Sequence, residues 1–313
     1  MLQYGLEVTM KFLVLYNPMS GKANFHRYIP KVKKIFENSP HSVDFYQSKA
    51  PKDLTRAAKD LSSEYDVFLA AGGDGTINEV VNGMMKSTVK PILGVLPSGT
   101  ANDIAAILGI NRSIKRSLNI FFNEEPVKLD VNQLNDQYFI YTTASGMLSK
   151  ISYDVSRRRI RKYGYLAYVI EAMDDISKDY RYPIKICYDG KEENYEVVMV
   201  LGLNSNRVGG VRLVNFSNSK LNDGLFELRL FLRAKSFWRF RFLQSFIRGG
   251  KRIGDDVQVA ASKFEIKTNP DVRWNADGEY STNGNVIIQT HKEAISVFAS
   301  KRIKNKYFMY VPK

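Results

Sequence analysis

Tyr65-Asp66-Val67-Phe68-Leu69-Ala70-Ala71-Gly72-Gly73-Asp74-Gly75-Thr76-Ile77-Asn78-Glu79 passes from an apolar run of strand length, through three glycines, into a helix-like stretch. The spacing predicts a buried strand over 66–71 and a helix over 76–85. Glycine tolerates positive φ and lets the backbone approach a ligand closely. A helix N-terminus behind such a turn presents unpaired N–H groups and a partial positive charge, which suits a phosphate. Thr76 is placed to cap that helix or bond a phosphate oxygen. Asp74 would repel a phosphate, so its expected part is to organise Mg²⁺ through water. Alone, a glycine turn of this kind often serves backbone geometry only.

Its neighbours change that reading. Leu96-Pro97-Ser98-Gly99-Thr100-Ala101-Asn102-Asp103-Ile104 repeats the pattern of strand, glycine with hydroxyls, then helix. Asn17-Pro18-Met19-Ser20-Gly21-Lys22 ends the first strand, 11–16, in a third small-residue loop. Between these lie helices over 25–37, 51–62, 101–108 and 112–122 and strands over 42–46 and 92–96, marked by apolar period and by Pro51 in a first turn. Strands alternating with helices imply right-handed crossovers and a parallel sheet, whose successive strands end on one edge. Three such loops at one edge make a nucleotide crevice.

From about Pro126 the pattern becomes strand-rich: 127–134, 138–143, 182–188, 195–203, 225–232, 257–261, 264–268 and 286–289, with turn signals such as Asn135-Asp136, Asp189-Gly190 and Asn283-Gly284. Helical insertions are expected at 162–177 and 235–248. The expected fold class is therefore α/β: a parallel-sheet nucleotide-binding domain at 10–128 and a β-rich, sandwich-like domain at 129–290. The tail 291–313 is expected to pack back on the first domain, and residues 1–9 read as an extension.

The motifs Asn17–Lys22, Gly72–Glu79 and Ser98–Asp103, in this order and spacing, resemble the diacylglycerol kinase catalytic domain, and more closely its soluble bacterial lipid kinase branch. That family shares a superfamily with phosphofructokinases and NAD kinases, and the likeness covers about residues 10–300. It implies ATP against Asn17, Pro18, Met19, Ser20, Gly21, Gly72, Gly73, Asp74, Gly75, Thr76, Ile77, Asn78 and Thr100, in a site between the domains. Ser48 stands where the family usually has a nucleotide-contacting Thr, with the hydroxyl retained. Trp274-Asn275-Ala276-Asp277-Gly278-Glu279 matches the family's Asp-Gly-Glu signature. The resemblance makes Glu279 the proton acceptor and has Asp277 assist or hold a metal; with Asp74 these are the expected catalytic residues. Carboxylates two residues apart can face one site if the glycine bends the chain. Lys220-Leu221-Asn222-Asp223-Gly224-Leu225 matches a structural Mg²⁺ site, in which the Asp223 carboxylate and the carbonyls of Lys220 and Leu225 are ligands and Asp74, Asp103 and Asp130 are linked through water. Hard oxygens with retained waters suit Mg²⁺. At Gly209–Asn215 the chain lacks the family's third glycine and later proline, near the expected lipid entrance.

Composition narrows the partners. Apolar residues make up 44% and charged residues 25%, ordinary for a globular chain. Lys and Arg number 46 against 32 Asp and Glu, a net +14, which favours nucleotide phosphates, anionic membrane or nucleic acid. No run approaches the ~20 apolar residues of a membrane-spanning helix. One cysteine, Cys187, forbids an intrachain disulfide and fits a cytoplasmic setting. No signature of specific nucleic-acid binding accompanies the basic residues. The basic run 156–162 and the aromatic-basic stretch 233–252 suit either core packing or peripheral contact with an anionic membrane. The expected reaction is transfer of the ATP γ-phosphoryl, with Mg²⁺, to a lipid hydroxyl such as that of diacylglycerol. An NAD kinase-like enzyme with a soluble acceptor, and a non-catalytic nucleotide-responsive protein, are the alternatives. Oligomeric state is left open, a homodimer among the choices.

Overall fold

The computed structural model describes residues 9–21, 25–146, 181–205, 207–208, 211–212, 220–232 and 256–309. The expected helices at 162–177 and 235–248, the basic run 156–162, Lys22 and most of the 209–215 loop lie outside them. Among the described residues, no helix is long and apolar enough to cross a membrane.

Two compact units emerge. The first takes the described residues up to Lys128 and the returning segment Ile295–Lys306, which starts four residues later than the tail expected from the sequence. Its elements are β1 (Lys11–Tyr16), α1 (Ile29–Phe36, after a 3-10 turn Phe25–Tyr28), β2 (Ser42–Gln47), α2 (Asp53–Asp60), β3 (Val67–Gly72), α3 (Asp74–Met85), β4 (Ile92–Pro97), α4 (Asp103–Ile107) and α5 (Ile114–Asn123). The strands form a parallel sheet in the order β4-β3-β1-β2. Phe12, Val14, Phe68, Leu69, Leu93 and Val95 are wholly buried, which is why these strands read as near-continuous apolar runs. Right-handed crossovers put α1 on one face and α2 and α3 on the other, because the chain steps from β1 to β2 in one direction and onward to β3 and β4 in the opposite one. Rings of Phe12, Phe36 and Phe122 meet at 5.1–5.8 Å, so α5 shares the face of α1.

The second unit takes the described residues of Leu129–Ala294 with 307–309. It is antiparallel: β5 (Val127–Leu134), β6 (Gln137–Phe139), β7 (Thr142–Gly146), β8 (Tyr182–Tyr188), β9 (Lys191–Leu203), the short pair β10 (Arg207–Val208) and β11 (Val211–Arg212), β12 (Phe226–Leu232), β13 (Asp256–Ala261), β14 (Lys263–Thr268), β15 (Arg273–Ala276), β16 (Glu279–Asn283) and β17 (Val286–Val297). The order is β16-β15-β7-β9-β8-β14-β17, with β12 bridging β9 and β13. Strand β9 spans 13 residues; its first half pairs β8 and its second half pairs β7 and β12. One core of Phe139, Val200, Phe226, Phe264, Trp274 and Ile288 fills the fold-over. The strand β17 then ends in the first unit, where Val297 pairs with Leu93, and α6 (Lys301–Tyr307) follows. There Lys304, 3% exposed, donates to Glu124 Oε2 at 2.8 Å and to the Glu125 carbonyl at 2.7 Å.

Three expectations need correction. Helix α3 starts at Asp74, two residues before Thr76, with Gly73 as its N-cap and no side-chain cap. The single strand expected at 138–143 is two strands with a bend at Ile140–Tyr141. The strand expected to end at Gln289 runs on as β17 to Val297, eight residues further.

Candidate functional site

In the first unit the strand order reverses between β1 and β3, since the chain leaves β1 towards one edge and β3 towards the other. A crevice outside the strand ends at such a switch point is the usual ligand site of an open parallel sheet. The loops after β1, β3 and β4 meet there. Asn17 folds its own loop, accepting Met19 N at Oδ1 (2.8 Å) and Ser20 N at its carbonyl (3.1 Å). Ser20 Oγ then accepts Gly73 N at 2.9 Å. The Gly72 carbonyl accepts Ser98 N at 2.9 Å and Gly99 N at 3.2 Å.

Glycine is required at these contacts. A Cβ on Gly99 would stand 2.4 Å from the Gly73 Cα, and one on Gly21, at φ +56°, 1.9 Å from the Ser98 carbonyl oxygen. Helix α3 opens directly behind this knot, so its leading N–H groups face the joined loops. Asp74 is half-buried, and its Oδ1 accepts Ile104 N at 2.9 Å, tying the start of α3 to the start of α4. Asp103, the first residue of α4, is wholly buried. Thr100 is exposed, and Ser98 Oγ is buried without a hydrogen-bond partner. Pro18 belongs to the same loop as Asn17, and Met19 is 66% exposed.

Other expected contacts point elsewhere. Ile77 is fully buried, and the Asn78 side chain accepts Asn82 Nδ2 at 3.0 Å. Thr76 is 5% exposed, and its side chain folds back on Gly72, where a Cβ would meet Thr76 Oγ1 at 2.3 Å. It therefore secures the glycine rather than capping the helix. Ser48 continues from β2, its N donating to the Tyr16 carbonyl at 2.9 Å and its Oγ to the Ala50 carbonyl at 3.1 Å.

Sequence reasoning passed over three residues here. Asn102, at φ +54°, accepts Gly99 N and donates to Gly99 O, both at 2.8 Å. Arg112 donates to the Thr100 carbonyl at 2.9 Å. Glu79 faces the amides of Lys52 and Leu54 at the start of α2, yet its Oε2 is buried with no partner, and burial holds its pKa above the usual carboxylate range. The signal for Asn102 was its place in a strand-to-helix loop, where Asn tolerates left-handed φ.

In the second unit, Asp277 (φ +48°) and Gly278 (φ +85°) form the two-residue turn between β15 and β16, both positive as a type I′ hairpin requires. Asp277 is 4% exposed and accepts Ile140 N (2.8 Å), Tyr141 N (2.9 Å) and Thr142 N (3.2 Å), while its own N donates to the Thr142 carbonyl at 2.8 Å. Glu279, across the turn, is exposed. The glycine therefore separates the environments of the two carboxylates instead of turning both outwards.

The loop 220–225 is likewise held by acids. Asp223 accepts Lys220 N (3.2 Å) and Leu225 N (3.0 Å). Asp130, wholly buried, accepts Gly224 N and Glu293 N, both at 2.6 Å. Burial pushes its pKa up to about 6, and the Asp223 charge adds to the rise. Among the described residues no three His, Cys, Asp or Glu side chains gather as a metal cluster. The donor set nonetheless fits Mg²⁺. Two neighbouring carboxylates, buried Asp130 and half-buried Asp223, and loop carbonyls are hard oxygens, each carboxylate oxygen retains a lone pair beyond its amide bond, and a cation would relieve the repulsion between the two charges.

Residues 11–134 match the diacylglycerol kinase catalytic domain, and residues 142–299 match the YegS C-terminal NAD kinase beta sandwich-like domain. A Bacillus subtilis (strain 168) protein named diacylglycerol kinase is 34% identical over 85% of this chain and 89% of its own length. The chain belongs to the diacylglycerol kinase family. A Staphylococcus carnosus member bearing the same name is 30% identical over 93% of this chain and 96% of its own length. A Bacillus anthracis crystal structure aligns over 97% of this chain and 100% of that one with a TM-score of 0.83, at 24% identity, which speaks for the fold. Family membership makes the protein a kinase, and kinases of this family use ATP, typically with a divalent metal.

Proposed function

We propose that this kinase transfers the γ-phosphoryl of ATP to the hydroxyl of diacylglycerol, giving phosphatidic acid and ADP. The carrying observation is the knot of strand-end loops at the β1/β3 switch point, drawn together by Ser20, Gly72 and Asn102 in front of the α3 N-terminus. In this reading Asn17–Gly21, Gly72–Gly75 and Thr100 hold the triphosphate. The diacylglycerol acceptor is supported by the names of the curated relatives.

Chemically, the acceptor oxygen bonds to the γ-phosphorus as the bond to the β,γ-bridging oxygen breaks, and the acceptor proton passes to Glu279. Positioning and charge neutralisation supply most of the rate in such a transfer. Asp277 assists by holding the hairpin that carries Glu279, since its oxygens are engaged by three backbone amides. Mg²⁺ would be held by Asp223 and the carbonyls of Lys220 and Leu225, with Asp130, Asp74 and Asp103 linked through water; it would supply positive charge and brace the loop. The acceptor being a lipid, the enzyme works as a peripheral protein at an anionic membrane.

The test is γ-labelled ATP with mixed micelles of diacylglycerol, run beside NAD⁺. Label in phosphatidic acid is expected. Label in NADP⁺ alone would replace the lipid acceptor with a soluble one.

A further inference from the structure

The two helical layers of the first unit differ sharply in charge. Helices α1 and α5 share one face of the sheet through the Phe36–Phe122 contact at 5.1 Å. Together with the turn before α1, they contain no Asp or Glu within their spans; the acids that close them are the caps Glu37 and Glu124, the latter paired with Lys304. They carry Arg27, Lys31, Lys33, Lys34, Lys115 and Arg116, all exposed. None of the six is in an ion pair with a described residue or otherwise engaged, except that Lys33 lies 5.8 Å from the Phe45 ring centroid. On the opposite layer, α2 and α3 with their caps hold Asp53, Asp60, Asp74 and Glu79 against Lys52, Arg56, Lys59 and Lys86, a balanced set. Arg27, Lys31 and Lys34 recur at one-turn spacing, which places them along one side of the helical segment. Tyr28, 40% exposed, adds an amphipathic ring of the kind that sits at headgroup level.

A face with this excess of positive charge costs self-repulsion in the isolated protein, and a negatively charged surface relieves it. We infer that the α1–α5 face docks on the anionic headgroups of a bilayer, so that the nucleotide unit has a membrane-facing side and a solvent-facing side. The choice of lipid over nucleic acid rests on the acceptor proposed above; the charge asymmetry itself does not depend on it. Docking through unpaired surface cations is electrostatic and therefore weakens with salt.

The full chain is to be floated with vesicles containing phosphatidylglycerol and with vesicles of phosphatidylcholine alone. Binding is expected only to the first and is expected to collapse at high salt. The combined variant Lys31→Glu/Lys34→Glu/Arg116→Glu should lower partitioning roughly a hundredfold, about fivefold for each cation lost. The variant Lys59→Glu/Lys86→Glu/Lys90→Glu changes net charge equally but spares this face, and should bind nearly as the parent does. Equal losses in both would show that net charge alone governs binding and would overturn the assignment. If the reversal variant unfolds, Lys31→Gln/Lys34→Gln/Arg116→Gln gives the same comparison with a smaller loss. Binding of the parent to double-stranded DNA but not to anionic vesicles would also overturn it.

Turnover separates this inference from the acceptor reading. The reversal variant should keep activity on water-dispersed short-chain diacylglycerol and lose it on vesicle-embedded diacylglycerol. A parent that floats but phosphorylates diacylglycerol in neither form keeps the docking face and loses the acceptor. A parent that phosphorylates the short-chain lipid but does not float does the reverse.

Discussion

Asp277 and Glu279 stand two residues apart and differ in nearly every physical respect. Asp277 is buried and accepts three backbone amides, whereas Glu279 is exposed on β16. Replacing Asp277 with Ala strands those donors in a dry site, a cost of ~2–4 kcal/mol, so its melting temperature should drop along with turnover. Glu279→Ala should instead abolish turnover with melting unchanged. Calorimetry beside the kinase assay distinguishes the two, and an Asp277→Ala protein that melts like the parent would reject the clamp. Glu79 makes a pH prediction. Burial raises its folded-state pKa, so the folded state holds that proton more tightly than the unfolded chain does. Its contribution to stability is present at low pH and is lost as pH rises from the ordinary value of 4.5 through the raised one. Glu79→Gln should flatten that part of the pH–melting curve; parallel curves for the two proteins would refute it.

At the scale of elements, the nucleotide crevice depends on loops packed backbone to backbone. A methyl group on Gly99 would overlap the Gly73 Cα, and neither backbone can move without dragging β3 or β4. Gly99→Ala should therefore weaken ATP binding by an order of magnitude or more, as read by titration with a fluorescent nucleotide; unchanged affinity would mean that the loops need not touch. The strands behind these loops were legible in the sequence because buried parallel strands are written as local apolar runs, as at 11–16, 67–72 and 92–97. At 273–283 only the turn at Asp277-Gly278 was legible. The strand after it, Glu279–Asn283, is polar and largely exposed and offers no apolar period. Nor was the break between β6 and β7 visible, since it is made by a carboxylate 135–137 positions away in the chain. The continuation of β17 past Gln289 was hidden in the same way: Glu293 takes φ +52°, and its amide is bound by Asp130.

For the molecule as a whole, metal and fold are linked. A ligand bound only by the native state stabilises it by about 2.7 kcal/mol at a hundredfold excess over its dissociation constant. Mg²⁺ without nucleotide should accordingly raise the melting temperature by several degrees in the parent and not in Asp223→Ala; equal shifts would remove Asp223 from the site. The sequence by itself determined the α/β-then-β order, the three glycine-bearing loops and the family, because these depend on local period, local turn chemistry and short motifs. It also supplied the cations, but not their arrangement. Only the tertiary structure decided that the loops after β1, β3 and β4 interlock at one switch point, that Asp277 faces inwards while Glu279 does not, and that six cations of α1, α5 and the turn before α1 share one side of the sheet. Those outcomes depend on strand order, crossover hand and hydrogen bonds between residues far apart in the chain, which no local pattern encodes.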